Sequence, residues 1–236
     1  MRILYFISFL IIRFTQPSID KNYLLGRFDP SKDPRFIQLP SAHAQSSALN
    51  GFLRKETFEA FQKMAEAAKK EEINLFIISA TRNFDSQKKI WENKWNGKTK
   101  VEGRDLTTIS DLKERARLIL LYSSMPGTSR HHWGTDMDLN SLDNNYFSAG
   151  EGLKIYQWLS VHAREFGFCQ PFTSKVNGRT GYEEEKWHWS YLPLSKSFLE
   201  EYKRQISFAD INGFGGSNQA VSLRIIDNYV DGVACK

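Results

Sequence analysis

Apolar residues recur every three or four positions in several segments of this chain. In the first segment, residues 53–70, they are Phe58, Phe61, Met64, Ala65 and Ala68. This spacing places the apolar side chains on one face of a helix, so it predicts a helix that buries that face. The same spacing predicts four further helices, over residues 84–98, 112–122, 153–166 and 197–206. Candidate caps are Thr57 for the first helix and Asp85 or Ser86 for the second.

Three other segments predict strands. INLFIISATR, residues 73–82, is a continuous β-branched and aromatic run, typical of a strand buried on both faces. In DMDLN, residues 136–140, apolar residues alternate with two aspartates, and Gly134 just before it lets the chain reverse. WHWSYL, residues 187–192, is aromatic enough for a strand, which Pro193 ends. Together these segments predict a mixed domain of helices and strands.

The N-terminus, MRILYFISFLIIRF, has an apolar run over residues 3–12 that only Ser8 interrupts. The run is too short to span a bilayer as an ordinary transmembrane helix and is typical of the apolar region of a signal peptide. Arg13 follows at once, and no A-x-A-like cleavage site precedes Pro17. Membrane anchoring through a retained run, or a buried strand, therefore stays open. We predict an exported protein, periplasmic or associated with the cell envelope.

Composition narrows the choice of partners. A chain of 236 residues that is 41% hydrophobic can bury a sizeable core, and its net charge of +5 suits an anionic partner such as a bacterial wall polymer. The positive charge is spread along the chain, without an RNA-binding signature or finger spacing, so we expect no nucleic-acid partner. Cys169 and Cys235 are too few for a disulfide scaffold. We expect two unpaired thiols, although export would allow them to pair.

The stretch TSRHHWGTDMDL, residues 128–139, concentrates candidate metal ligands. A catalytic zinc takes three protein ligands and keeps one open position, and His131, Asp138 and His188 can supply two imidazoles and a carboxylate. Asp136 and Asp138 point to the same face of a strand, so spacing does not rank them. Nor does it rank His131 against His132.

Two further residues suit catalysis beside a metal. Amide hydrolysis needs a base that takes a proton from water and passes it to the departing amine. Glu185, three residues before His188, is the candidate, and we expect it in the loop preceding the strand. Arg82, at the end of a predicted strand, suits a substrate carboxylate, with a surface ion pair as the alternative.

Three motifs in this order resemble the VanY-type D-alanyl-D-alanine carboxypeptidases, zinc peptidases grouped with lysostaphin and Hedgehog-like domains. SRHHWGTDMD matches the family's SxHxxGxxxD signature, EKWH matches ExWH, and SATRNFDSQ resembles its substrate-binding Ser-x-x-Arg-x(4)-Gln segment. The match covers about residues 53–194. One departure is Asp136, where many members have a small apolar residue.

The resemblance implies a role for each matching residue and ranks Asp138 above Asp136 and His131 above His132. The implied zinc ligands are His131, Asp138 and His188. The implied catalytic base is Glu185, and the implied substrate-binding residues are Arg82, Gln87 and Ser129, with Arg82 also stabilising the oxyanion. The implied fold is α+β, a small antiparallel sheet that carries the zinc site and is surrounded by helices. We therefore predict a signal peptide or anchor over residues 1–18, a wrapping segment over 19–52, and a zinc peptidase domain with a C-terminal helical extension over 53–236.

The implied reaction is removal of the last residue from D-Ala-D-Ala-ended dipeptides or pentapeptides, or from the stem peptides of peptidoglycan. The same metal centre also suits an L,D-carboxypeptidase or a wall endopeptidase. A zinc-stabilised binding module without catalysis is disfavoured because a structural zinc needs no base and usually has four protein ligands. A serine hydrolase built on Ser129 is disfavoured because no nucleophile-elbow pattern surrounds that residue. Oligomeric state stays open.

Overall fold

The computed structural model describes residues 19–45 and 48–236. The predicted signal peptide or anchor, residues 1–18, lies outside the described residues. The helices are α1 (Lys21–Leu24), α2 (Lys55–Lys69), α3 (Phe84–Trp95), α4 (Leu112–Ile119), α5 (Gly150–His162) and α6 (Leu192–Gln205). The strands are β1 (Phe36–Gln38), β2 (Phe52–Arg54), β3 (Ile77–Ser79), β4 (Asp136–Leu139), β5 (Phe168–Cys169) and β6 (His188–Tyr191).

The helices form where the apolar spacing predicts them, but several of their ends differ. Helix α2 begins at Lys55 because the two residues before it belong to β2. Thr57 is buried inside that helix and does not cap it. The cap of α3 is Asn83, whose side chain accepts a hydrogen bond from the Ser86 amide at 2.9 Å, so the prediction of Asp85 or Ser86 is wrong.

Two later helices also have shifted ends. Helix α5 ends at His162, and a 3-10 turn continues the chain to Gly167, which adopts a left-handed conformation. Helix α6 begins at Leu192, five residues before the predicted start. Pro193 lies in its first turn, where its missing N–H would have no helical partner in any case.

The sheet that carries the predicted site has four antiparallel strands in the order β3-β4-β6-β5. Only three of the ten residues predicted for the first strand, Ile77–Ser79, enter the sheet. Strands β4 and β6 lie side by side at its centre, and Asp138 is directly opposite His188. A separate pair, β1 and β2, packs beside the start of α2. The predicted α+β class is confirmed.

Alternation along the two central strands separates a core face from a polar face. Met137, Leu139 and Trp189 pack in a hydrophobic cluster with α2 and α5, while the residues between them point to the opposite side of the sheet. A second hydrophobic cluster is formed by α3, α4, α6 and the C-terminal segment. The polar face of the sheet therefore lies in a protein interior, where each polar group needs a partner or a ligand.

The segment over residues 19–52, predicted to wrap the domain, supplies core residues. Tyr23 and Leu24 of α1 are buried in the second cluster. The Tyr23 hydroxyl donates a hydrogen bond to the Trp133 carbonyl at 2.5 Å. The segment is thereby fastened to the turn that carries the histidines.

Cys169 and Cys235 form a disulfide, so the expectation of two unpaired thiols is wrong. The two positions are 66 residues apart in sequence, and their Cα atoms are 6.4 Å apart in the fold. The bond ties the edge strand β5 to the C-terminal end of the chain. Within residues 19–45 and 48–236, each helix is too short or too polar to cross a membrane.

Candidate metal centre and catalytic cavity

The turn before β4 brings the first histidine into the interior. Residues Arg130–Trp133 form one 3-10 turn, and Gly134 ends it with a φ of 72°, a value that favours glycine. The His131 imidazole is buried, and its Nδ1 lies 2.9 Å from the Ala80 carbonyl oxygen. A carbonyl only accepts hydrogen bonds, so Nδ1 carries the proton and Nε2 keeps a free lone pair.

The central strand pair supplies the other two candidate ligands. Because Asp138 and His188 are cross-strand neighbours, their side chains leave the sheet on the same face. The Asp138 Oδ1 atom is 3.2 Å from His188 Nδ1 and 3.4 Å from His131 Nε2. One ligand atom from each of the three residues lies within 4.8 Å of the others.

These atoms fit a metal ion. His131 Nε2 and Asp138 Oδ1 are buried and have no hydrogen-bond partner, which is costly in a protein interior without a ligand. The His188 imidazole donates from Nε2 to Asp136, so its Nδ1 lone pair faces the same point. Two imidazoles and one carboxylate form a donor set typical of catalytic zinc.

Asp136 lies behind His188 and is hydrogen-bonded on every side. Its Oδ2 accepts from His188 Nε2 at 2.9 Å and from Arg130 Nε at 2.8 Å. Its Oδ1 accepts from the hydroxyls of Thr135 at 2.7 Å and Ser190 at 2.9 Å. The carboxylate therefore fixes both the tautomer and the orientation of the His188 ring.

Charge around His188 favours a cation at this point. Burial alone would lower the pKa of His188, but the surrounding carboxylates of Asp136, Asp138 and Glu185 raise it well above its usual value. Burial would likewise raise the pKa of Asp138, yet the neighbouring His131 and His188 hold it well below its usual value. The buried carboxylates thus stabilise positive charge, which a divalent ion between the ligands would supply.

Glu185 lies in the loop just before β6, as predicted. Its Oε2 is 3.3 Å from His188 Nδ1, and the side chain is buried. Burial raises the pKa of Glu185, and the Asp138 charge raises it further, against the opposing effect of His188. A raised pKa brings a carboxylate closer to the range that proton transfer near neutral pH requires.

Arg82 lies after the end of β3 and faces the same centre. Its Nη1 is 4.0 Å from Asp138 Oδ2 and donates to the Ser79 hydroxyl at 3.2 Å. Its Nε is buried without a hydrogen-bond partner. The guanidinium is therefore not an ordinary surface ion pair, and it keeps N–H groups for a ligand.

A small cavity of about 20 Å³ opens from this centre. Its wall contains Ser129, Arg130 and Tyr182, and each has a buried polar atom without a hydrogen-bond partner: Ser129 Oγ, Arg130 Nη1 and Tyr182 Oη. Unpaired buried polar groups that converge on one cavity indicate a polar ligand. The volume suits a group about the size of a methyl.

A second, larger cavity of about 590 Å³ opens from the same centre toward the surface. Both cavities are lined by Arg82, Tyr122, His131, Glu185 and His188. The candidate metal centre therefore lies between a small cavity and a much larger one.

Gln87 lines neither cavity. It is buried on α3, where its Nε2 donates to the Ser124 carbonyl at 2.8 Å and its Oε1 has no partner. Ser124 lines the small cavity, so Gln87 supports that wall from behind. The structure thus brings Arg82 and Ser129 together with His131, Asp138, Glu185 and His188. Gln87 reaches this group only through its contact with Ser124.

The sequence reasoning missed several residues of the site. Arg130 and Tyr182 lie inside or beside the recognised motifs, but only spatial neighbours reveal that their polar atoms face a cavity. Lys94, in the last turn of α3, lines the larger cavity. In that helix the apolar spacing indicates Trp91 and Trp95 as buried residues and gives no signal for Lys94.

A family model described as VanY, D-alanyl-D-alanine carboxypeptidase, matches residues 50–194. The chain is 27% identical over 183 residues to YodJ of Bacillus subtilis (strain 168), a protein named as a carboxypeptidase. The alignment covers 74% of this chain and 58% of that protein. The chain is also 27% identical over 149 residues to a D-alanyl-D-alanine carboxypeptidase of Enterococcus faecalis (strain ATCC 700802 / V583). That alignment covers 60% of this chain and 52% of the relative. The chain thus spans little more than half the length of these relatives.

Solved structures share the fold. VanYB in complex with D-alanine-D-alanine superposes with a TM-score of 0.51 at 19% identity, over 75% of this chain and 87% of that one. The L,D-carboxypeptidase LdcB gives a TM-score of 0.54 at 24% identity, over 77% and 81%. At these identities the similarity establishes the architecture of the sheet and its surrounding helices.

Proposed function

Because the chain belongs to the VanY family of D-alanyl-D-alanine carboxypeptidases, we propose that it is a zinc-dependent carboxypeptidase that removes the terminal residue from bacterial wall peptides. One observation carries the proposal: a buried His-Asp-His set and a buried glutamate lie beside a small cavity with unpaired polar groups. The bond we propose is a terminal D-Ala-D-Ala bond or one similar to it.

His131 Nε2, His188 Nδ1 and Asp138 would hold the zinc ion. When bound, zinc supplies Lewis-acid polarisation and lowers the pKa of water. Asp136 and Ala80 hold the two imidazoles in the tautomers that leave these nitrogens free. The protein contributes a preformed, buried ligand set.

Glu185 is the proposed proton carrier. Its carboxylate accepts a proton from the attacking water as the new C–O bond forms. It then delivers that proton to the amine nitrogen as the C–N bond breaks. Its burial beside His188 supports this role, because a carboxylate with a raised pKa both accepts and releases a proton readily.

Arg82 is the proposed donor to the oxygen on which negative charge develops, and it also contacts the substrate. Its guanidinium faces the centre from beyond the end of β3, and not all of its N–H groups have a hydrogen-bond partner. Donors preset in a site that excludes water stabilise such charge strongly. We propose that Gln87 assists by holding the Ser124 wall in place.

The small cavity supports cleavage next to a free carboxyl terminus. Ser129 Oγ, Arg130 Nη1 and Tyr182 Oη have no other partner and suit the terminal carboxylate, and a volume of about 20 Å³ leaves no room for further peptide beyond it. An endopeptidase would need this side of the cleft open to continuing chain. The observation therefore favours a carboxypeptidase over an endopeptidase.

The disulfide supports the predicted export. Disulfides persist in oxidising compartments such as the periplasm or cell surface and are rare in a reducing cytosol. The bond between Cys169 and Cys235 is thus consistent with action on the cell envelope, where peptidoglycan stem peptides are found.

The test is release of D-alanine from a pentapeptide that ends in D-Ala-D-Ala, measured by mass spectrometry with the zinc-loaded protein. We expect turnover that a chelator abolishes and added zinc restores, and weaker turnover when the terminal carboxylate is amidated. Full activity in the metal-free protein, or equal cleavage of the amide, would overturn the proposal. A tetrapeptide with an L-residue before its terminal D-alanine distinguishes L,D- from D,D-cleavage.

A further inference from the structure

The larger cavity contains a cation that the proposed reaction does not use. Lys94 is half-buried in the last turn of α3, and its Nζ donates to the Ser123 hydroxyl at 2.6 Å. Both residues line the larger cavity. Within residues 19–45 and 48–236, no carboxylate lies within ion-pair distance of this ammonium group.

The electrostatic surroundings of Lys94 favour an added anion. Burial lowers the pKa of Lys94, and the positive charge of Arg82 lowers it further, while Glu185 and Glu102 act in the opposite direction. A partly desolvated ammonium group beside a second cation gains from a carboxylate that contacts it directly.

The two cavities fix which part of a substrate meets Lys94. The small cavity takes the carboxylate of the terminal residue, which becomes the leaving group. The acyl portion must then extend from the shared centre into the larger cavity. Lys94 and Ser123 line only that larger cavity, so they lie on the acyl side of the bond that is cut.

We propose that Lys94 and Ser123 form a second carboxylate subsite, and that the preferred substrate is a peptide carrying a carboxylate in its acyl portion besides the one at its C-terminus. This inference rests on the proposed carboxypeptidase function. In wall peptides such a carboxylate has two sources, the α-carboxylate of a γ-linked glutamate and the side chain of a diaminopimelate residue. The ammonium and the hydroxyl recognise the carboxylate itself.

The experiment compares matched peptides that differ only in this group. Pentapeptides ending in D-Ala-D-Ala are made with the acyl-portion carboxylate free or amidated, once at the glutamate and once at the diaminopimelate. With the zinc-loaded wild-type protein we expect kcat/KM to favour the free acid by about ten-fold at one of the two positions, carried by KM, as a charge-assisted hydrogen bond predicts. The preferred position identifies the source.

Variants at Lys94 then test whether this side chain causes the preference for the free acid over the amide. Lys94→Met should reduce the acid-to-amide ratio to about one, and Lys94→Arg should retain most of it. Lys89→Met makes the same charge change at an exposed position of the same helix and should keep the wild-type ratio. A wild-type ratio near one, or a ratio that persists in Lys94→Met, would overturn the inference and leave Lys94 as a counter-charge for Glu185.

Failure of the proposed function gives a different result. If the wild-type protein cleaves none of the peptides, the carboxypeptidase proposal fails. Calorimetric titration of the same peptides into zinc-loaded Glu185→Gln then tests the subsite without turnover. Tighter binding of the free acid that disappears when Lys94→Met is added supports the subsite, and equal dissociation constants for acid and amide overturn it.

Discussion

The His132 ring binds the backbone of Arg82. Its Nδ1 lies 2.6 Å from the Arg82 carbonyl oxygen and must donate to it, while its Nε2 accepts from the Gly127 amide at 3.0 Å. The ring is fully buried, and burial lowers its pKa to about 3, so it remains neutral. One imidazole thus holds both the backbone of Arg82 and the loop before Ser129.

Replacing His132 should therefore impair stability and activity together. His132→Ala leaves a buried amide and a buried carbonyl unpaired and opens a cavity, so we expect a loss of about 3 kcal/mol in the free energy of unfolding. His132→Asn, which can still donate to the Arg82 carbonyl, should lose less kcat/KM than the alanine variant. Urea unfolding and peptide kinetics measure the two effects, and a wild-type unfolding curve for His132→Ala would contradict this account.

Glu185→Gln should lose turnover but keep metal. The amide preserves the shape of the side chain and cannot accept the proton, so we expect kcat to fall about 10³-fold. Elemental analysis should still find one zinc per chain, since Glu185 is not among the three proposed ligands. Glu184→Gln is the matched control, because it removes a neighbouring charge that makes no contact with the centre. Similar kcat values for the two variants would remove Glu185 from the base role.

Asp136→Asn should weaken zinc binding. The substitution removes the charge that balances Arg130 and disturbs the acceptor of the His188 proton. Loss of such a partner typically costs about 10- to 100-fold in metal affinity. Competition with a chromogenic chelator gives the dissociation constant, with Asp85→Asn on the exposed first turn of α3 as control. Equal zinc affinity in both variants would argue against a positioning role for Asp136.

Tyr23 should make the fold sensitive to alkaline pH. Burial raises the pKa of Tyr23 to about 12, partly offset by Arg54 and Arg35. The unfolded tyrosine ionises near pH 10, so its contribution is present below that pH and is lost as pH rises toward 12. The stability advantage of wild type over Tyr23→Phe should shrink by up to about 1.4 kcal/mol per pH unit across this window. Urea unfolding at pH 8, 10 and 11 measures it, and a constant difference would contradict the assignment.

The sequence was informative about the centre because its residues are close in sequence or fall in short motifs. Gly134 and the alternation in DMDL predict a turn followed by a strand, and that strand presents both aspartates on one face. The apolar spacing predicted the long helices for a similar reason, because within each one apolar residues recur every three or four positions.

Relationships between distant residues could not be predicted in this way. The β1–β2 pair has three residues in each strand, too few for a recognisable alternation. The bond from His132 to Arg82 and the bond from Arg130 to Ser190 join positions 50 and 60 residues apart. Tertiary packing alone brings such residues together, and it also decided the early start of α6 and the pairing of the cysteines.

The disulfide closes a covalent ring of backbone from Cys169 to Cys235, and both Glu185 and His188 lie inside it. A protease that cuts the exposed turn around Val176 would therefore leave two pieces still joined through sulfur. The bond also secures β5 beside the strand that carries His188.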